Sequence, residues 1–332
     1  NSFSNDYDGD KIVDLAFFDA ENKKFYIVNS SDLKEKIVNL DNIISEENAN
    51  DTFSPMPSDY DGDGKTDIAL FNRTKATWHI IHSSDSRPEG PIFWGGLKGE
   101  IPLPGDIDGD GKFEIATYVP NRNSGSWPTV LSTKQGVIYR KEFPSSSLDI
   151  PMYADVDGDK KSDYVIYRPS ESQFYIYNAT CSTAPSAAPQ AVGCGIPIAG
   201  SSGPVATKVI NGNPTSRAVI EDFDGDKKYD LATWTPESGK WEISYAKDFL
   251  SAESAKTPFT ATLGMSGDIP LPADYNGDGK AEIAIYNTKT LSLELLRSYF
   301  VVSMYCPAKL HSEIINFISF TSKVCYGQHI FT

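Results

Sequence analysis

The sequence predicts an all-β fold: a β-propeller of four-stranded blades, with six blades favoured and seven possible. Three observations carry this. A nine-residue acidic stretch recurs six times, at 6–14, 59–67, 106–114, 155–163, 222–230 and 274–282. Its copies start 53, 47, 49, 67 and 52 residues apart, a period too long for helical-hairpin solenoids and suited to a four-stranded blade. Between copies lie short runs of β-branched and aromatic residues broken by polar turns, the pattern of strands.

The second period shows the plan. Ser54-Pro55-Met56-Pro57-Ser58 is read as a short extended lead-in, since its two prolines forbid helix. After the acidic loop, Asp67–Phe71 is a second strand, Asn72–Lys75 a polar turn, Ala76–His82 a third strand and Pro91–Trp94 a fourth. Post-loop strands follow at Val13–Phe18, Ile115–Val119, Tyr164–Tyr167, Leu231–Trp234 and Ile283–Tyr286. Third strands follow at Lys24–Val28, Trp127–Leu131, Gln173–Tyr177, Lys240–Tyr245 and Leu291–Leu296. Lead-ins with proline recur at Ile101–Pro104, Ile150–Met152 and Ile269–Pro272. Ile37–Ser45 and Ser312–Phe320 come nearest to a helical pattern, and both are weak.

The whole chain, 1–332, is therefore read as one propeller domain with two departures. Residues 179–203, rich in Ser, Ala, Pro and Gly, are expected to be an inserted surface loop, and 299–332, which lacks an acidic motif, an atypical closing segment. Cys181 and Cys194 lie in the first, Cys306 and Cys325 in the second. Their spacing fits no zinc pattern; either they close two local disulfide loops, 181–194 and 306–325, or they are free buried thiols.

Numbered from its first Asp, the loop offers side-chain oxygens at positions 1, 3, 5 and 9 and a carbonyl at position 7. The candidate metal ligands are Asp6, Asp8, Asp10, Ile12 and Asp14; Asp59, Asp61, Asp63, Lys65 and Asp67; and Asp106, Asp108, Asp110, Lys112 and Glu114. The later copies supply Asp155, Asp157, Asp159, Lys161 and Asp163; Asp222, Asp224, Asp226, Lys228 and Asp230; and Asp274, Asn276, Asp278, Lys280 and Glu282. In each set the Ile or Lys contributes its carbonyl. Carboxylates this crowded repel one another, by roughly 4 kcal/mol per pair at ~4 Å and an effective dielectric of ~20, so a cation is expected among them. Ca²⁺ fits best, because it takes six to eight oxygens in flexible geometry.

Position 4 is glycine in every copy, as tight wrapping requires. Position 6 is Gly64, Gly111 or Gly279, but Lys11, Lys160 or Lys227 in the other copies, where a left-handed backbone would be strained. Position 2 is always apolar or aromatic (Tyr7, Tyr60, Ile107, Val156, Phe223, Tyr275) and is expected to turn into the core. An EF-hand is excluded: position 12 is Phe17, Leu70, Thr117, Ile166, Thr233 or Ile285, each in a strand rather than an acid between helices.

Loop, lead-in prolines and following strand recur together from Ser2 to about Arg297. This pattern resembles the FG-GAP or VCBS repeats of integrin α-subunit propellers and of many secreted bacterial and fungal proteins. The resemblance implies a propeller with Ca²⁺ in the hairpin loop between the first two strands of each blade, usually in seven blades where this chain shows six motifs. Asn276, Glu114 and Glu282 depart from the family's Asp, and the sixth site, which loses a charge at Asn276, is ranked among the weakest.

Composition sets the remaining limits. The chain of 332 residues carries a formal charge of −15, and 23 of its 45 acids lie in the motifs. Six bound Ca²⁺ would leave about −3, so the acidity is internal to metal sites, and it argues against a nucleic-acid partner. No run of 18 apolar residues is present, so no membrane insertion is expected. The chain starts at Asn1 and its first methionine is Met56, so it is expected to be processed or part of a larger chain. Abundant calcium sites favour an extracellular setting, secreted or at a cell surface. Trp78, Trp127 and Trp241 share a third-strand position and are expected in the core, as is Trp234. His79 and His82 fall on opposite faces of a strand and make poor metal partners for each other. No catalytic motif of the G-x-S-x-G, H-E-x-x-H or P-loop type occurs.

The expected function is a non-enzymatic, calcium-stabilised propeller for extracellular binding or adhesion, recognising a glycan or a protein. Two alternatives stand beside it. One is a propeller domain of a secreted polysaccharide-acting enzyme, catalytic or not; the other is a spacer in a large surface or toxin-like protein.

Overall fold

A computed structural model describes residues 5–32, 34–48, 50–96, 99–122, 125–131, 138–140, 148–177, 206–209, 212–250, 257–290, 292–297 and 300–305. The fold is all-β, built of antiparallel sheets that follow one another along the chain. The first sheet has strands β1 (Leu15–Asp19), β2 (Lys24–Val28) and β3 (Glu35–Asn39). The second has four: β4 (Phe53–Pro55), β5 (Ile68–Asn72), β6 (Thr77–Ile81) and β7 (Pro88–Phe93). The third runs β8 (Ile101–Pro102), β9 (Ile115–Arg122), β10 (Gly125–Leu131) and β11 (Ile138–Arg140). The fourth runs β12 (Ile150–Ala154), β13 (Asp163–Arg168), β14 (Gln173–Tyr177) and β15 (Ala206–Val209). The fifth contains β16 (Arg217–Glu221), β17 (Asp230–Thr235), β18 (Lys240–Ser244) and β19 (Phe259–Thr262). The sixth contains β20 (Ile269–Pro270), β21 (Ile283–Asn287), β22 (Ser292–Arg297) and β23 (Phe300–Tyr305).

Each sheet is a meander, with every strand hydrogen-bonded to the next in sequence. The prolines of β4, β8, β12 and β20 all sit on edge strands, where a missing N–H is tolerated. In sheets two to six the post-loop strand lies inside its sheet, and all five residues of β5 and all six of β17 are buried.

The chain falls into two compact units, 1–96 with 267–332, and 97–266. In the first, Phe18, Phe25 and Ile27 of sheet one pack with Ile68 and Leu70 of sheet two. Phe17, on the opposite face of β1, packs with Ala284, Tyr286, Leu293 and Leu295 of sheet six. The last sheet of the chain thus lies against the first. In the second unit, Ile107 and Ala116 of repeat three pack with Tyr164 and Ile166 of sheet four. Val165, Phe174 and Ile176 on the other face of sheet four meet Leu231 of sheet five.

Trp78, Trp234 and Trp241 are fully buried, as expected. Trp234 and Trp241 both donate their indole N–H to the carbonyl of Leu263, at 2.9 and 3.2 Å. The Trp127 side chain and the four cysteines lie outside the described residues, as do 178–205 and 306–332, which contain the expected insertion and most of the closing segment.

Two details of local structure add to the sequence reading. The segment nearest to a helical pattern, 37–45, starts in strand β3, paired to β2 from Val28↔Glu35 to Lys24↔Asn39. The open edge of β2 offers each N–H and C=O a partner, which a lone weak helix cannot match. The chain then turns, and Leu40, Ile43 and Ile44 drop into the core. A short helix, α1 (Ala246–Phe249), follows β18 where no helix was expected, and buries Ala246 and Phe249.

Candidate metal centre

Loops two to six lie between the first and second strands of their sheets, the first loop leads into β1, and backbone hydrogen bonds hold their carboxylates. In the second loop, Asp59 accepts from Gly62 N–H at 2.6 Å and from Gly64 N–H at 2.9 Å. Asp61 accepts from the N–H of Asp63 at 3.2 Å, and Asp63 from that of Lys65 at 2.9 Å. Each short acid thus turns the backbone two to five residues onward. The other loops repeat the scheme: the first Asp accepts from positions 4 and 6 in all six copies.

The wrapping explains the glycines. Position 4 has a left-handed backbone in every copy, with φ from +78° to +88°. Position 6 is left-handed too, and Lys11, Lys160 and Lys227 adopt φ of 71°, 73° and 67° there, a strain of roughly 1–2 kcal/mol each that glycine does not carry.

Position 9 has a different task. Asp14, Asp67, Asp163 and Asp230 are fully buried and Glu114 nearly so. In each loop one oxygen of this acid accepts the N–H of position 2, at 2.6–3.1 Å. In three loops the other accepts an N–H sixteen residues further on: Ser30 for Asp14, Ser83 for Asp67 and Ala246 for Asp230, each at 2.7 Å. The acid ties the start of the loop to the end of the third strand. Of the position 2 side chains thereby aimed inward, Tyr7, Tyr60, Ile107 and Val156 are buried, while Phe223 and Tyr275 are half-buried.

Position 7 carries a side-chain role that the sequence reading, concerned with its carbonyl, missed. A Cβ on Gly9 would stand 3.0 Å from Lys65 Cε, on Gly109 2.9 Å from Lys161 Cγ, on Gly158 3.1 Å from Lys228 Cε, and on Gly277 2.9 Å from Ile12 Cγ1. The position 7 side chain therefore lies across the position 4 glycine of a neighbouring loop. The next residue adds a hydrogen bond to the first Asp of that loop: Thr66 N–H to the Asp6 carbonyl at 2.7 Å, Ser162 to Asp106 at 2.6 Å, Tyr229 to Asp155 at 2.9 Å and Val13 to Asp274 at 3.4 Å. Loops six, one and two are chained in one unit, and three, four and five in the other. The only signal in the sequence was the long aliphatic stem at position 7, which is common on any surface.

The acids converge. Ligand oxygens of Asp6, Asp8 and Asp10 lie within 4.8 Å of one another, as do those of Asp59, Asp61 and Asp63, of Asp106, Asp108 and Glu114, and of Asp155, Asp157 and Asp163. Glu114 supplies the test of fit. Its Oε1 is buried with no hydrogen-bond partner among the described residues, a costly state for a carboxylate oxygen unless a cation meets it. Burial pushes the Glu114 carboxyl up to about 7, reinforced by Asp108, Asp106 and Asp110 and opposed by the Ile107 N–H. Burial also pushes Asp230 up to about 7, and raises Asp6, Asp14, Asp59, Asp67, Asp106, Asp155 and Asp222 above the usual range. This donor set, all oxygen and mostly carboxylate, suits a hard divalent cation.

Two loops meet their charge from within. In the fifth, the Lys247 ammonium pairs with Asp224. In the sixth, the Asn276 amide donates to Glu282 and, at 3.3 Å, to Asp278.

Residues 59–117, the second loop with its post-loop and third strands and the third loop, match the FG-GAP-like repeat family. The chain carries an FG-GAP-like repeat. No curated protein matches it in sequence. Among solved structures it is similar to a lectin of Agrocybe aegerita that recognises non-reducing terminal N-acetylglucosamine, with 14% identity, a TM-score of 0.51, and 88% of this chain and 90% of that one covered. It is also similar to a post-proline cleaving enzyme from Rickettsia typhi, with 10% identity, a TM-score of 0.45, and 88% of this chain and 51% of that one covered. A third is the WD40 domain of SCAP from fission yeast, with 11% identity, a TM-score of 0.36, and 90% of this chain and 71% of that one covered. At 14% identity the likeness to the lectin concerns the fold alone, which is all-β and of the β-propeller type.

Proposed function

We propose that this FG-GAP-like chain is a calcium-stabilised extracellular binding or adhesion propeller, non-enzymatic and of six blades, that recognises a glycan or a protein. The observation that carries the reading is the repeated cage of backbone-held acids, with the orphaned Glu114 Oε1 at its sharpest point. A catalytic acid pair is needed once, whereas a staple is needed in every blade. Ca²⁺ would be held by the oxygens of positions 1, 3, 5 and 9 and the carbonyl of position 7, and would neutralise the charge that drives the loop apart. Six motifs and the packing of the last sheet on the first support one propeller across the chain.

Broad propeller faces suit macromolecular ligands. The Agrocybe lectin, of the same fold, reads a terminal sugar, which makes glycan the first ligand class to test. Glycan-array binding by the calcium-loaded chain, lost in EDTA and restored by Ca²⁺, is the expected result. Binding to extracellular proteins alone would narrow the ligand class. Turnover of polysaccharides by this chain would overturn the non-enzymatic reading.

A further inference from the structure

The second loop holds a nitrogen among its acids. His82 is 4% exposed, and its ring stands beside the carboxylates at positions 3 and 9. Nε2 lies 2.8 Å from Glu89 Oε2. A carboxylate only accepts, so Nε2 carries a proton toward Glu89, and Nδ1 is the ring nitrogen left to face the loop. That Nδ1 is buried without a hydrogen-bond partner. It faces Asp61 Oδ2 and Asp67 Oδ2, each at 3.5 Å, beyond the usual 2.7–3.2 Å of an N–H···O bond. Asp61 Oδ2 also accepts from Ser84 Oγ, and Asp67 Oδ2 from the Tyr60 N–H. Both keep lone-pair capacity toward the ring.

A ring nitrogen and two carboxylate oxygens converge here, a donor set that a metal cation can satisfy. We propose that Asp61, Asp67 and His82 form a binding site for a divalent transition-metal ion of the zinc class, distinct in preference from the all-oxygen loops. Three features favour it. Imidazole with carboxylate is a ligand set for zinc-like ions rather than for calcium. Two ligand atoms each ~2.1 Å from a tetrahedral ion stand roughly 3.4 Å apart, close to the spacings seen here. Glu89, accepting from the far ring nitrogen, is the carboxylate that orients and strengthens a metal-binding histidine.

The register is particular to this loop. In the first sheet Asn29 stands where His82 does: each donates its N–H to the carbonyl five residues on, at 3.1 Å. In the fifth sheet the place belongs to Tyr245. The site shares Asp61 and Asp67 with the second acidic loop, so at this loop the zinc-class ion would take the place proposed for calcium.

The test uses the full chain without a polyhistidine tag, stripped by chelator and dialysed against Zn²⁺ in excess Ca²⁺, with Co²⁺ absorption as a second probe. One equivalent of Zn²⁺ retained is the expected result. His82→Ala should weaken it by at least ~10-fold and abolish the Co²⁺ spectrum, and Glu89→Gln should weaken it ~10-fold. Retention by His82→Ala at wild-type affinity, or no retention by the wild type, overturns the proposal. Should His82→Ala fail to fold by circular dichroism, Glu89→Gln decides alone, because that side chain is half exposed; unchanged affinity then refutes the site. A parallel Ca²⁺ titration of His82→Ala reports on the five loops that share no residue with this site, so either reading can fail without the other.

Discussion

In the second loop the residues that follow the third strand, His82, Ser83 and Ser84, turn a ring nitrogen and two hydroxyls toward the acids. In the fifth loop Tyr245, Ala246 and Lys247 stand at the same register, and Lys247 lays an ammonium on Asp224, the acid that Ser84 meets in the second. The frame that holds the position 9 acid is the same. Asp67 and Asp230 are both fully buried and tie equivalent N–H groups. The comparison separates two jobs that one acidic motif performs. The frame is drawn by backbone hydrogen bonds to positions 1 and 9, and the counter-charge is supplied by whatever occupies the space between.

The largest expected effect is removal of the cation. A ligand at 100 times its Kd adds ~2.7 kcal/mol per site, so EDTA should lower the Tm by on the order of 10 °C or more. An unchanged Tm, with no calcium found by elemental analysis, refutes the calcium proposal. Next comes the frame itself. Asp67→Ala and Asp230→Ala each strand two backbone N–H groups, and denaturation should show a loss of roughly 2–4 kcal/mol in both. That loss should persist in EDTA; a mutational cost that vanishes with the metal would mean that position 9 is a ligand only.

The pH dependence of the metal-free protein is a smaller effect. Glu114 rises from an ordinary value of 4.5, and Asp230 from 3.8, to about 7 in the folded chain. Between those limits the folded state binds more protons than the unfolded one, so stability must fall as pH rises. Urea midpoints in EDTA should therefore be higher at pH 5 than at pH 7.5, and saturating Ca²⁺ should reverse the order, since the ion needs the carboxylates ionised. The smallest effect bears on the fifth loop alone. Lys247→Ala should tighten Ca²⁺ binding there by freeing Asp224, seen as a gain in high-affinity equivalents by calorimetry. An unchanged titration would mean that the exposed ammonium gives way to the ion without cost.

Much of this was legible in the chain. The six loops and the post-loop and third strands can be read directly, because the acids, glycines and β-formers recur in register. The fourth strands were mostly illegible. Glu35–Asn39 and Phe259–Thr262 are largely exposed, so no apolar alternation marks them, and they become strands only because a neighbouring edge offers partners. His82 was weighed against His79 as a metal partner and set aside. Its companions are Asp61 and Asp67, well before it in the chain, and Glu89, which belongs to a strand set by pairing.

Spacing and residue type by themselves determined the repeat, the acid cage and its glycines, since these are local: an Asp can bend only the backbone within a few residues of itself. The tertiary structure decided what the acids face. The stem of Lys65 over Gly9, the orphaned oxygen of Glu114, the ammonium of Lys247 and the ring of His82 all arise where strands distant in sequence are brought side by side. Burial gives the Glu114 and His82 contacts their energy, and it exists only once the strands have packed.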